Sequence, residues 1–286
     1  MPPFAERKAA LPRLGLGVST EYGARRSTGA LDPRALRRAH PEFAGFLEVG
    51  VEIDKGLDDD ARAWASTGAP TTYHFLDINL DEDADFDRPW LDAVMQAACV
   101  LRPAWMCGDA GLWHFGARDR GHMLLLPPVL EPEAATAMAA GIVRLREATG
   151  LEVLPENPPG AVFVGTLHLL EFFAQLAEAA DTGLLIDCAH LAMFQRARGH
   201  DALDGFDAVP WDRVVELHVA GGREQDHGGF AFVEDDHGAS VLDDTWRIFE
   251  AAVTRADSLR AVVVECERNP IHAVLPLFER VAATWR

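Results

Sequence analysis

The sequence predicts an α/β protein, a single (β/α)8 TIM barrel that occupies residues 1–286. Three observations predict this fold. Short apolar or β-branched runs recur eight times, and each is followed by a segment with helical periodicity, as in repeated βα units. The chain has about the length of one such barrel. No linker rich in serine, glycine or proline divides it, which disfavours a doubly wound sheet with two half-repeats.

The strands and helices are predicted in alternation along the chain. The strands are Leu14–Val18, Gly45–Val49, Pro70–Phe75, Ala104–Cys107, Leu151–Pro155, Gly183–Ile186, Val214–Val219 and Ala261–Val264. The helices are Pro33–Arg38, Leu57–Ser66, Pro89–Val100, Pro132–Thr149, Leu167–Ala180, Leu191–Arg198, Leu242–Arg255 and Ile271–Trp285. Pro33 and Pro132 suit a first helical turn, and Gly150 suits the residue after a helix end. We expect the stretches after the strands, including 108–130 and 221–238, to be functional loops.

Composition narrows the possible functions. Hydrophobic residues make up 49% of the chain and charged residues 25%, as in a globular protein with a substantial core. The formal net charge of −19 disfavours nucleic acid as a partner, because binding to a phosphate backbone needs clustered lysine and arginine. No apolar run approaches the length of a membrane span, and no signal peptide is recognisable. We therefore expect a cytoplasmic protein without membrane contact.

The four cysteines do not form a metal-binding or disulfide pattern. Cys99, Cys107, Cys188 and Cys266 are far apart in sequence, and no C-x-x-C pair occurs. We interpret them as reduced, buried thiols of a cytosolic core.

Potential metal ligands recur where the predicted strands end. In a (β/α)8 barrel these ends converge on one mouth, so residues distant in sequence can line one pocket. Read in chain order, the residues are Glu48 or Glu52, His74, Cys107 to Asp109, Glu156 and Asn157, Asp187 and His190, His218, Asp235 and His237, and Glu265. Buried carboxylates and imidazoles must be paired or must coordinate an ion. Asp, Glu and His around an open pocket suit iron, manganese or catalytic zinc.

The stretch from Glu216 to Trp246 contributes the densest set of these residues. His218 ends an apolar run, and Asp235 and His237 follow two residues apart. In extended conformation an Asp-x-His pair directs both side chains to one face of the backbone, so both can reach one ion. The stretch is therefore predicted to supply three ligands.

Several motifs together resemble those of the multinuclear non-heme iron-dependent oxidative enzymes, a family that includes the methanobactin biosynthesis oxidase subunit. The motifs are PENPPG, DCAH, HVAGG, DDHG followed by Trp246, and VECER, and the resemblance extends from about Gly15 to Arg268. More distantly, the chain resembles the xylose-isomerase-like TIM barrel superfamily, which shares the ligand skeleton but not these motifs.

The resemblance implies a role for each matching residue. The implied iron ligands are His74, Glu156, His190, His218, Asp235, His237 and Glu265. Asp187 would be a ligand or would orient one, Glu156 would bridge two metals, and both are the implied catalytic residues. We expect His218 near Glu156 and Glu265, and Asp235 and His237 sharing a metal with His190.

One ligand that the family normally carries is absent. The family motif after the fourth strand contains a histidine where this chain has Ala110. Asp109, His114 and His122 are the candidate replacements, and the alternative is that one of the metal sites is weakened or lost. Asp109, His114, Asn157 and Glu52 thus stand as additional candidates for the site.

The implied activity is an O2-dependent oxidation, most often of cysteine, in a ribosomally made precursor peptide. The cofactor would be two or three iron ions in mixed Fe2+ and Fe3+ states, with O2 as co-substrate. A partner protein that presents the leader of the peptide is a further expectation. The alternatives are a xylose-isomerase-like isomerase, an endonuclease-IV-like hydrolase, and a degenerate peptide-binding scaffold.

Overall fold

The chain folds into the predicted (β/α)8 barrel. The structure, a computed structural model, describes residues 2–20, 29–116 and 124–285. Its barrel strands are β1 (Gly15–Thr20), β2 (Phe46–Val51), β3 (Thr71–Phe75), β4 (Met106–Asp109), β5 (Val153–Glu156), β6 (Leu184–Asp187), β7 (Val214–Ala220) and β10 (Ala261–Glu265). They pair in parallel in sequence order, and β10 closes the barrel on β1. The prediction of the fold class is confirmed.

Helices follow the barrel strands close to the predicted bounds. They are α2 (Pro33–Ala39), α3 (Asp59–Ser66), α4 (Arg88–Leu101), α5 (Pro132–Thr149), α6 (Leu169–Ala180), α7 (Cys188–Arg198), α8 (Asp243–Val253) and α9 (Ile271–Thr284). Aspartate side chains cap several helix starts, because a carboxylate accepts the N–H groups that the first turn leaves unpaired. Asp187 caps α7 in this way, by accepting from the backbone N–H of His190 at 2.5 Å.

The interior of the barrel is apolar at one end and charged at the other. Phe46, Trp105, Leu154 and Val263 belong to one buried cluster that fills the floor. Gly17 on β1 leaves room for the Phe46 ring, because a Cβ atom at this position would overlap it. The carboxyl ends of the strands carry the acidic and histidine side chains instead. The floor therefore supplies packing stability, and the mouth is left for chemistry.

A short N-terminal helix that the sequence analysis did not predict closes the floor. Phe4 of α1 (Phe4–Arg7) is 1% exposed within the floor cluster. The Phe4 backbone N–H donates to Asp181 at 2.9 Å, and Arg7 donates to both Glu152 carboxylate oxygens at 2.7 and 3.0 Å. This segment therefore covers apolar side chains that would otherwise face water.

Replacing Phe4 by alanine is expected to lower the free energy of unfolding by about 3–5 kcal/mol, the usual loss when a buried phenylalanine becomes a cavity. The measurement is chemical denaturation. Phe230→Ala, which shortens a side chain that is 50% exposed, is the matched control and should change stability little. Equal losses in the two variants would contradict the role assigned to Phe4.

The stretch after β7, predicted as an irregular loop, contains a hairpin. Its strands are β8 (Gly222–His227) and β9 (Phe230–Asp235), which pair in antiparallel register outside the barrel. The Gly228–Gly229 turn was missed because consecutive glycines are also common in loops. The expectation that all cysteines are buried is wrong for Cys99, which is exposed, whereas Cys107, Cys188 and Cys266 are buried and free.

None of the helices in the described ranges combines the length and the apolar character that crossing a bilayer requires.

Candidate metal centre

Acidic and histidine side chains from seven barrel strands and their following segments meet at the mouth. Eight carboxyl groups and four imidazoles are involved, and most of them are buried. They belong to Glu48, His74, Asp109, Glu156, Asp187, His190, Glu216, His218, Asp235, His237, Glu265 and Glu267. The structure thus brings together all of the ligands that the family resemblance implied, from segments separated by almost the whole chain.

Glu156, at the end of β5, lies in the middle of this cluster. Its Oε2 atom is 2.8 Å from His74 Nε2, and its Oε1 atom is 3.2 Å from His218 Nδ1. His218 Nδ1 is also 3.5 Å from Glu265 Oε1, which is the proximity predicted from the sequence. The two oxygens of Glu156 therefore face different histidines, and this carboxylate connects the His74 side of the cluster with the His218 side.

Asp235 links two further histidines. Its Oδ2 atom lies 3.2 Å from His190 Nε2 and 3.3 Å from His237 Nε2. The predicted extended Asp-x-His geometry is wrong, because His237 follows the end of β9 with a φ of 47° in the left-handed region. The two side chains still converge because the backbone turns there.

Backbone and carboxylate partners fix the orientation of these imidazoles. His190 Nδ1 lies 2.9 Å from the Asn157 carbonyl oxygen and donates to it, so its Nε2 atom is left to face Asp235. His237 Nδ1 lies 2.8 Å from Glu267, which also accepts a hydrogen bond from Ser19. Metal-binding histidines usually donate their second ring nitrogen to such a partner.

The additional candidate Asn157 has a positioning role. Its side chain donates to the Asp187 carbonyl oxygen at 3.0 Å and accepts from the Asp187 N–H at 2.9 Å. These two bonds tie the end of β5 to the end of β6, which places Asp187 beside Glu156. Asn157 therefore acts through the backbone that carries the ligands.

The electrostatic environment is that of crowded carboxylates. Burial, followed by the charges of Glu265 and Glu156, raises the pKa of Asp187 to about 7 despite the opposing His190 and His218. Burial also raises the pKa of Asp109 well above its usual range. His74 would lose basicity by burial alone, but Glu156 and the other carboxylates raise its pKa to about 9. Without a cation, protons must therefore compensate the negative charge.

Several buried carboxylate oxygens and imidazole nitrogens at the mouth lack a well-aligned hydrogen bond in the described part of the chain. Four carboxylate oxygens belong to this set, Asp109 Oδ1, Asp187 Oδ2, Asp235 Oδ1 and Glu265 Oε2. Glu48 Oε1 and both ring nitrogens of His218 also lack one, although His218 lies 3.1 Å from Glu48 and 3.2 Å from Glu156. Unsatisfied polar atoms in such number are unusual in a native interior, and here they face one another. Carboxylate and imidazole donors without thiolates suit iron, manganese or zinc, so the residues fit a cluster of such ions.

A cavity of about 340 Å³ opens onto these donors. Glu156, His190 and Asp235 line it together with the larger side chains Leu76 and Trp113. It is large enough for one amino-acid side chain, and the buried carboxylates and imidazoles form part of its wall.

Two of the additional candidates lie away from the centre. Glu52 forms an ion pair with Lys55 at 2.6 Å, and Glu48 takes the strand-end position instead, 3.1 Å from His218 Nε2. His114 is buried between Asp85, at 2.8 Å, and the Gly116 carbonyl oxygen, at 2.7 Å, so its ring nitrogens are occupied. The candidate His122 lies outside the described residues.

Of the candidate replacements for the absent family histidine, Asp109 lies at the centre, beside His74. Its Oδ2 atom is 4.0 Å from His74 Nε2, and these two residues form a potential ligand group with Glu156. Ala110, the next residue, packs into the hydrophobic core between barrel and helices. The side chains of Asp109 and Ala110 differ in direction because successive residues of a strand point to opposite sides of the barrel wall.

The sequence analysis missed Glu267 and left Glu48 undecided. Glu48 precedes Glu52 by four residues on the same strand and its extension, and only strand register shows that Glu48 points inward. Glu267 follows the predicted ligand Glu265 at the period of a strand, and that spacing in VECER was an available signal. Glu216 is also buried, where Trp105 donates to it at 2.7 Å.

Replacing Glu267 by glutamine is expected to weaken metal binding about 10- to 100-fold, the usual effect of losing a carboxylate that orients a ligand histidine. Competition titration against a chelator measures the affinity. Glu279→Gln, on the exposed face of α9, is the matched control. An unchanged affinity in Glu267→Gln would show that His237 needs no carboxylate behind it.

Comparison with solved structures confirms that the chain has the fold of a TIM barrel. A structure of an IOLI protein with a bound zinc atom superposes with a TM-score of 0.58 at 12% identity, covering 94% of this chain and 95% of that one. Endonuclease IV from Thermus thermophilus superposes with a TM-score of 0.54 at 16% identity, covering 95% and 99%. At these identities the similarity establishes the fold alone.

The family is established by sequence. The family model for the RiPP precursor modification enzyme MbnB/TglH/ChrH matches residues 33–283, and the chain belongs to this family. A UPF0276 protein of Bordetella bronchiseptica is 30% identical over 296 aligned residues, covering 99% of this chain and 96% of that protein. The family resemblance stated from the motifs is thereby confirmed.

Proposed function

We propose that this protein is a multinuclear iron-dependent oxidase or oxygenase that modifies a side chain, most often cysteine, of a ribosomally made precursor peptide. The observation that supports it most directly is the set of unsatisfied buried carboxylate and imidazole atoms beneath an open cavity. Membership of a family that modifies precursor peptides supports the substrate class.

Three neighbouring groups of donors would hold the ions. The first consists of His74, Asp109 and Glu156, and the second of Asp187, His218 and Glu265. The third surrounds Asp235 with His190 and His237. Since Glu156 faces both His74 and His218, we propose that it bridges the first two groups. The proposed cofactor is therefore two or three iron ions.

Bound iron would supply redox chemistry with O2 and a Lewis-acidic site for a substrate thiolate. The protein orients two of the ligand histidines, through the Asn157 carbonyl oxygen on His190 and the Glu267 carboxylate on His237. Of the two proposed catalytic carboxylates, Glu156 lines the cavity. Asp187 is fully buried behind it and belongs to the same potential ligand group. The Leu76 and Trp113 side chains give part of the cavity wall an apolar surface. The electrons removed from the peptide are accepted by O2.

The test is to express the chain in iron-rich medium without oxygen and to measure its metals by elemental analysis. We expect iron to be bound, and oxygen uptake to begin when a precursor peptide is supplied. Candidate peptides are short cysteine-rich reading frames beside the gene, alone or with a partner protein that presents the leader. A protein that takes up only zinc would instead indicate a hydrolase or isomerase, and one without metal would indicate a peptide-binding scaffold.

A further inference from the structure

The hairpin β8–β9 leads directly into the metal centre. Its turn consists of Gly228 and Gly229, with φ values of 66° and 90°. In a hairpin with such a two-residue turn, the two residues that flank the turn, here His227 and Phe230, hydrogen-bond to each other through their backbones. Every second pair along an antiparallel ladder is hydrogen-bonded in this way. The residues of the other pairs direct their N–H and C=O groups away from the hairpin.

The outward-facing residues are Ala231 and Val233 on β9, and Glu224 and Asp226 on β8. In the described ranges, no backbone group of these four residues is hydrogen-bonded outside the hairpin. Free groups along a strand edge are a template for another extended chain. Both edges of the hairpin therefore have unused hydrogen-bonding capacity.

The two edges differ in how they meet the barrel. The β8 edge is closed at its base, where the Gly222 N–H donates to the Ser240 carbonyl oxygen at 3.2 Å. The β9 edge continues to Asp235, whose carboxylate lies 3.2 Å from His190 and lines the metal cavity. Of the two edges, the β9 edge is the one that reaches the cavity without interruption.

A groove of about 510 Å³ lies beside the hairpin. Part of its lining is small or apolar, and comes from Gly160 and Ala161 after β5, Met193 on α7, and Ala231 and Val233 on β9. The polar residues Glu224, Gln225 and Asp226 of β8 line the rest. Its one lining cation, Arg196, forms ion pairs with Glu224 and with Asp244. The groove therefore offers space and backbone hydrogen bonds, and no unpaired positive charge in the part described.

We propose that the β9 edge binds an extended segment of the substrate peptide as a third strand of the hairpin. Small or apolar side chains of the segment would lie in the groove. Because β9 ends at Asp235, a segment paired along β9 would also extend to the metal cavity and place the residue to be modified there. Strand addition of this kind gains affinity from main-chain hydrogen bonds and specificity from alternate side chains. The inference rests on the proposed function only in taking the substrate to be a peptide.

The test uses peptides selected on the iron-loaded protein, without oxygen, from a displayed library of random sequences with one central cysteine. Ala231→Pro removes an outward N–H and leaves the internal ladder of the hairpin intact, because Ala231 is not in a hydrogen-bonded pair. We expect this variant to raise the Kd of the selected peptides about tenfold. Ala231→Ser, which keeps the N–H group at the same position, is the matched control and should leave Kd unchanged. Binding that survives Ala231→Pro, or that is lost equally in Ala231→Ser, overturns the proposal.

A second measurement does not depend on variants of the protein. N-methylation is moved one residue at a time along a selected peptide, and binding should be lost at every second position, because a strand turns alternate N–H groups toward its neighbour. Methylation effects without this alternation overturn the proposal. Metal content is measured in the same samples, so failure of the iron chemistry and failure of peptide binding are distinguished.

Discussion

Replacing Glu156 by glutamine is expected to lower the affinity for metal at least about 100-fold, more than the loss of an orienting partner, and to abolish oxygen uptake. Glu156 supplies one oxygen to the His74 side of the centre and the other to the His218 side. Glutamine keeps the shape but has one oxygen and no charge, so its NH2 group must face one of these positions. One of the two groups therefore loses a donor atom, and both lose the negative charge of the carboxylate.

Elemental analysis after dialysis and oxygen uptake with substrate measure this effect. Glu133→Gln, on the exposed face of α5, is the matched control and should retain both properties. Unfolding by denaturant checks that Glu156→Gln is folded, which we expect since Glu156 contributes to a charged mouth and not to the apolar floor. A folded variant with normal iron content would exclude a bridging role for Glu156.

Barrel strands and their ligands could be predicted because the signals are local. Each strand is a short apolar run, and the barrel rule alone brings His74, Glu156 and His218 to one mouth. The register of a strand was also decisive, but only the structure supplied it: Glu48 points inward beside His218, and Glu52 reaches Lys55 outside. A period-two pattern cannot choose between two glutamates that are four residues apart.

The remaining differences came from backbone turns. His237 reaches Asp235 through a left-handed residue, and the preceding Gly228–Gly229 turn forms the hairpin. Neither conformation is specified by hydrophobic periodicity. Asp109 occupies the position beside His74 because the side chain of Ala110 points away from the barrel interior. The presence of Ala110 where the family has a histidine therefore does not by itself predict which side chain of this chain faces His74.

Removing the metal ions is expected to destabilise the protein strongly. The mouth holds eight carboxyl groups against four imidazoles, and burial with neighbouring negative charge already raises the pKa of Asp187 to about 7. A cation bound to the folded state alone adds about 4 kcal/mol when its concentration is a thousand times its Kd. For a chain of this length such a gain corresponds to roughly 7 °C in Tm.

The experiment compares thermal unfolding of iron-loaded protein with chelated protein and with chelated protein resupplied with Fe2+, all without oxygen. We expect Tm to fall on chelation and to recover on resupply, because the same buried oxygens that repel one another without a cation attract it when it is present. The Glu156→Gln variant, which binds metal weakly, should show a much smaller difference between the loaded and chelated samples. Identical Tm values for loaded and chelated wild-type protein would mean that the buried carboxylates are compensated by protons alone, and the metal centre would have to be abandoned.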